Sequence, residues 1–131
     1  MKKTIVIIGA ESGIGLATSK FFLDQGHTVW VTAKDEEGHR VLRETFPCEQ
    51  VLLLDLAKVC DIALMIEPLQ NLASIDTLIC NAGIGRGAEG ILKASRQDIE
   101  LSTRLNVESY LHSLKAIVPG MIKRRKGHVV L

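Results

Sequence analysis

The sequence predicts an α/β fold, a doubly wound parallel sheet of about five strands with helices on both faces. Three observations carry this. Short runs of branched apolar residues recur along the chain, continuous rather than alternating, as in strands covered on both sides. Longer segments with helical spacing of their apolar positions separate them, the rhythm of βαβ units. The first apolar run passes directly into glycines and then into a helical pattern, in "TIVIIGAESGIGLATSKFF" from Thr4 to Phe22.

The strands are expected at Thr4 to Ile8, Thr28 to Thr32, Gln50 to Leu54, Ile75 to Cys80 and from His128 to Leu131. A first helix lines one side with Leu16, Phe21, Phe22 and Leu23, and Gly26 closes it in a left-handed turn. Val41, Leu42, Thr45 and Phe46 form a second, ended by Pro47. Asp61 caps a third carrying Ile62, Leu64, Met65 and Leu69, with Pro68 in its last turn. Ser95, three residues before Asp98, opens a fourth; Leu105 to Ile122 is one long helix with Pro119 as a kink. The cluster Lys123 to Lys126 suits that helix's C-terminal dipole and is expected to be solvated.

The 131 residues fit one domain, 1–131, with a sizeable core. Lysine and arginine number 16 against 15 acids, and aromatics are 4%, so nothing marks a nucleic-acid surface. Glu11 and the glycines interrupt the first apolar run before it could serve as a leader, and no stretch is long enough to cross a bilayer, so a cytoplasmic protein is expected. Cys48, Cys60 and Cys80 lack a pairing or zinc spacing and are expected to be reduced and mostly buried. His27, His39, His112 and His128 are scattered, so no metal site is expected.

A strand leading through glycines into a helix sets unpaired N–H groups and the positive end of the helix dipole at the carboxyl edge of the sheet. That arrangement binds phosphate. Gly9 permits the tight turn, Gly13 lets a diphosphate approach the backbone, and Gly15 lets the helix lie close to the strand. The spacing is GxxxGxG rather than GxGxxG, and a turn without a ligand is the alternative. In a Rossmann-type sheet the adenosine ribose lies near the end of the second strand, roughly twenty residues on. There the chain reads "VTAKDEE", and Lys34 favours the extra phosphate of NADP. A shift of one residue would make Asp35 an NAD selector instead.

These stretches resemble the short-chain dehydrogenases/reductases over essentially the whole chain. "IGAESGIG" resembles the family's TGxxxGIG, with Ile8 in place of a threonine whose hydroxyl braces the turn, so a looser loop is expected. The resemblance implies cofactor contacts from Gly9, Ser12, Gly13, Ile14 and Gly15. "LLLDLA" resembles the segment that places an aspartate, here Asp55, near the adenine amino group, with Leu56 beside the ring. "LICNAGIG" resembles NNAG, with Cys80 for the first asparagine and Asn81, Ala82 and Gly83 retained. The segment from Leu105 onward resembles the long interface helix and fifth strand, which makes Asn106 the supporting asparagine of the catalytic tetrad.

The resemblance therefore implies an oxidoreductase that moves hydride between a nicotinamide cofactor, NADP before NAD, and a carbonyl or alcohol. The family's serine and YxxxK pair would follow the fifth strand, and none is present through Leu131, so the chain is expected to be the cofactor-binding portion, incomplete at its C-terminus and inactive alone. Tyr110 has Lys115 five positions later, on a different helix face, and is expected to be packing. "GHVVL" would otherwise end within a buried strand. Leu111, Leu114, Val118, Met121 and Ile122 are expected in the core, or, as the family's helix implies, against a second copy in a homo-oligomer through residues 105–122. A dinucleotide-binding module without catalysis and an inert remnant are the alternatives. Trp30, on the second strand near Lys34, is expected to report bound cofactor.

Overall fold

A computed structural model of the chain describes residues 1–58, 67–85 and 89–131. Five parallel strands form one sheet: β1 (Thr4–Ile8), β2 (Thr28–Ala33), β3 (Val51–Leu53), β4 (Thr77–Cys80) and β5 (His128–Val130), in the order β3-β2-β1-β4-β5. The chain thus winds outward from β1 in both directions, the doubly wound Rossmann-type order. Four helices are described: α1 (Gly13–Asp24), α2 (Glu36–Arg43), α3 (Arg96–Thr103) and α4 (Ser109–Arg124), with a π-helical turn at Arg104–Glu108 between the last two.

The continuous apolar character of β1 follows from burial on both faces. Ile5 and Ile7 pack with Val29, Val31, Leu42 and Phe46 beneath α1 and α2, while Val6 and Ile8 pack with Leu54, Leu78, Ile117 and Met121 beneath α4. Each of these side chains removed from water contributes about 1.5–3 kcal/mol. Gly26 closes α1 at φ +79°, and Ser95 and Asp98 form a reciprocal capping box at the start of α3.

Several expectations need correction. Phe21 is exposed, and only Leu16, Phe22 and Leu23 of the α1 set reach the core. α2 begins at Glu36, because the Asp35 carboxylate accepts the Gly38 N–H at 2.8 Å. β4 starts at Thr77, since the Asp76 carboxylate is taken by the Thr4 N–H at 3.0 Å. The two C-terminal helices are one helical run from Arg96 to Arg124 that passes through Pro119. The basic cluster at its end is exposed, as expected, and two of its members also tie back to the sheet: Arg124 donates to the Ile75 carbonyl at 2.7 Å and Lys126 lies 3.5 Å from Asp76. β5 is an edge strand with β4 as its one neighbour, so only Val129 packs inward and Val130 is exposed. Of the α4 stripe, Met121 is buried but Leu111 and Ile122 face solvent. Cys48 is exposed, while Cys80 is buried. The expected cap Asp61 and its neighbours Ile62, Leu64 and Met65, like Cys60, lie outside the described residues; Leu69 is buried in the core.

Candidate dinucleotide site

The register aligns the carboxyl ends of β1, β2 and β4, where Ile7 pairs with Val31 and Ile8 with Cys80. The segments that leave those ends therefore meet at one sheet edge, where the chain order departs from β1 to β2 on one side and to β4 on the other. Ligands of such sheets bind at this switch point. A cleft of about 350 Å³ occupies it.

The glycine turn is held from both flanks. The Gly9 N–H donates to Thr32 Oγ1 at 2.9 Å, and the Ala10 N–H to the Thr32 carbonyl at 2.9 Å. From the other side Asn81 Nδ2 donates to the Gly9 carbonyl at 2.7 Å, while the Asn81 and Ala82 amides donate to the Ile8 carbonyl at 3.0 and 2.8 Å. Where the family's threonine hydroxyl would brace the turn, Thr32 and Asn81 hold it here. Asn81 is marked in the sequence by its motif, but Thr32 is not: there it reads only as a β-branched strand residue.

The glycines divide by what surrounds them. At Gly9 the backbone sits at φ +81°, and a Cβ would lie 2.5 Å from the Ala82 Cβ. At Gly15 a Cβ would strike the Gly9 carbonyl oxygen and come within 2.5 Å of Asn81 Nδ2. Gly13, at φ +54°, has nothing within 4 Å of a would-be Cβ. The first two are needed for packing; the third faces open space. Ser12 makes no side-chain cap to α1, and the amides of Gly13, Ile14 and Gly15 find no acceptor among the described residues. Three N–H groups at the positive end of a helix are thus left for an anion.

Of the residues singled out in the sequence, Gly9, Ser12, Lys34 and Asp55 line the cleft, as do Leu56, Asn81, Ala82 and Gly83. Gly13, Ile14 and Gly15 stand beside that lining at the head of α1, and the Ile14 side chain is 80% exposed, so only its amide is available there. Asp55 is partly engaged, accepting the Ala57 N–H at 3.0 Å. Asp35, the alternative ribose selector, is occupied in capping α2 and does not line the cleft. Lys34 is exposed and forms no ion pair among the described residues.

Asn106 does not line the cleft. Its side chain is bonded twice to one residue, Oδ1 accepting the Ile84 N–H at 3.1 Å and Nδ2 donating to the Ile84 carbonyl at 2.7 Å. It sits in the π-helical turn, so the irregular helix aims this amide at the loop after β4. Gly83 has no room for a Cβ against Asn106 Oδ1. Tyr110 does more than pack: its hydroxyl donates to the Ala82 carbonyl at 2.6 Å, and its pKa is raised by burial and by nearby Cys80. Lys115 is exposed. Cys80 itself is pushed up to about 11 by burial. Trp30 packs against the α4-side core and does not line the cleft. The cleft also contains Glu11, Leu54, Ile84, Leu101 and Leu105, none of them predicted as site residues.

A family model described as short chain dehydrogenase matches residues 3–131. The chain belongs to the short-chain dehydrogenase family. The NADP-dependent 3-hydroxy acid dehydrogenase YdfG of Salmonella typhimurium is 31% identical over 130 residues, 96% of this chain and 52% of that protein. Among solved structures, serine dehydrogenase from Escherichia coli is similar with a TM-score of 0.84 and 30% identity, covering 96% of this chain and 59% of that one. A closed form of serine dehydrogenase complexed with NADP+ gives 0.83 and 29%, covering 96% and 52%. The chain thus spans about half the length of the curated relatives it matches. Among the described residues no helix is long and apolar enough to cross a membrane.

Proposed function

We propose that this chain is the cofactor-binding portion of an NADP-dependent short-chain oxidoreductase, serving hydride transfer between the nicotinamide and a carbonyl or alcohol. The observation that carries this reading is the set of free amides at Gly13, Ile14 and Gly15 opening beside a cleft that also presents an unpaired Lys34. The α1 amides hold the pyrophosphate, with Gly13 left bare so that the backbone can be approached. Lys34 takes the 2′-phosphate of the adenosine ribose. Asp55 meets the adenine amino group and Leu56 its ring, while Asn81, Ala82 and Gly83 form the wall toward the nicotinamide. NADP, when bound, supplies the hydride acceptor and, reduced, the donor. The NADP dependence of YdfG and the serine dehydrogenase structure complexed with NADP+ support this choice of cofactor.

Asn106 acts here as a positioning residue, since both ends of its amide are spent on the Ile84 backbone. It orders the loop after β4 and leaves proton transfer to other groups. The family resemblance implies a serine and a YxxxK pair for that role, and neither follows the fifth strand through Leu131. The exposed Leu111 and Ile122 support a homo-oligomer through residues 105–122.

Calorimetric titration tests the reading. NADPH should bind the chain more tightly than NADH, and Lys34→Ala should weaken NADPH by about tenfold while leaving NADH unchanged. Absence of binding by either nucleotide would overturn it.

A further inference from the structure

Glu11, in the turn between Gly9 and α1, lines the cleft, yet one of its carboxylate oxygens, Oε2, is buried without any hydrogen-bond partner. Its position is fixed by packing. A Cβ placed on Gly38 would lie 2.9 Å from Glu11 Cβ, 3.1 Å from its Cγ and 3.2 Å from the Ala33 Cβ, so the side chain lies against the junction of β2 and α2 that Lys34 opens. Of the neighbouring acids, Asp35 is engaged with the Gly38 amide and Glu37 with Arg40 at 2.7 Å, while Glu36 is exposed on α2 and does not line the cleft. Neither Glu11 nor Lys34 forms an ion pair among the described residues, so two opposite charges share one end of the cleft without neutralising each other. A carboxylate short of donors gains from a hydroxyl and is repelled by a phosphate.

We infer that Glu11 is a second determinant of the cofactor ribose, set against Lys34, accepting from a 2′-hydroxyl and opposing a 2′-phosphate, so that the cleft separates NADP from NAD less sharply than Lys34 alone would. This rests on the dinucleotide reading above. Titration of NADP and NAD into the wild-type chain, Glu11→Gln and Glu11→Ser by calorimetry gives the ratio of the two dissociation constants. Both substitutions should raise the preference for NADP by about tenfold, partly through weaker NAD binding. Glutamine keeps the shape and serine removes the bulk, so agreement between them assigns the effect to charge. A preference unmoved in both variants, with both nucleotides still binding, would overturn the role of Glu11 alone; no binding of either nucleotide to any of the three chains would overturn the dinucleotide reading and this inference with it.

Discussion

Replacing the three glycines of the turn one at a time by alanine should separate packing from ligand binding. At Gly9 alanine must adopt φ +81° and place its Cβ 2.5 Å from the Ala82 Cβ and 2.8 Å from the Ala82 nitrogen. A left-handed alanine costs about 1–2 kcal/mol, and overpacking against backbone about 1–3 more. The expected loss is thus about 2–5 kcal/mol, a large part of a small domain's stability. Gly15→Ala has ordinary helical backbone but meets the Gly9 carbonyl and Asn81, so about 1–3 kcal/mol is expected. Gly13→Ala meets nothing within 4 Å, and the cost of its φ of +54° is partly offset by a less flexible unfolded chain, leaving about 1 kcal/mol or less. Binding should run the other way. The Gly13→Ala methyl would stand where the phosphates approach, so NADPH affinity should fall at least tenfold, about 1.4 kcal/mol. Urea unfolding followed by circular dichroism reads the stabilities, with a slope of about 1–3 kcal/mol per molar, and calorimetry reads the affinities. The reasoning is refuted if Gly13→Ala is as unstable as Gly9→Ala, or if it binds NADPH like the wild type.

Thr32→Val should destabilise the chain by about 1–3 kcal/mol in the same urea assay, because the Gly9 N–H loses its acceptor while the side-chain shape is kept; an unchanged midpoint would remove Thr32 as the brace. The Asp76 pKa is lowered, chiefly by the Thr4 N–H and then by Lys126. A depressed folded-state pKa means stability present above the unfolded value of about 3.9 and lost as pH falls through the folded one, so Asp76→Asn should flatten the acid limb of the stability profile below about pH 4. Maleimide at pH 8 should label exposed Cys48 and spare Cys80, whose thiol is pushed up to about 11 by burial, as peptide mapping by mass spectrometry would show.

The sheet was legible because β1 and β2 are buried on both faces, which leaves an unbroken apolar run in the sequence. The need for glycine at the turn was legible at Gly9, whose left-handed backbone is a local demand, but the contacts with Ala82 and Asn81 that also exclude a Cβ at Gly9 and Gly15 were not. What escaped the sequence depends on partners far along the chain. Thr32 is a brace only because β2 pairs with β1, and Tyr110 reaches the Ala82 carbonyl only because α4 crosses the end of β4. Asp35 looked available to a ribose, but it caps α2, and Glu11 counted in the sequence only as a break in the first apolar run, although one of its oxygens is buried and unpartnered. The π-helical turn at Asn106 leaves no signature in apolar spacing, so the two C-terminal helices read as separate elements.

The most direct test follows backbone amide resonances of the isotopically labelled chain as NADPH is added. The Gly13, Ile14 and Gly15 signals should shift together and saturably, while Gly26 and Asp76, at the opposite edge of the sheet, stay in place. Signals at the head of α1 that remain fixed at saturating nucleotide would contradict the claim that this helix terminus receives the pyrophosphate.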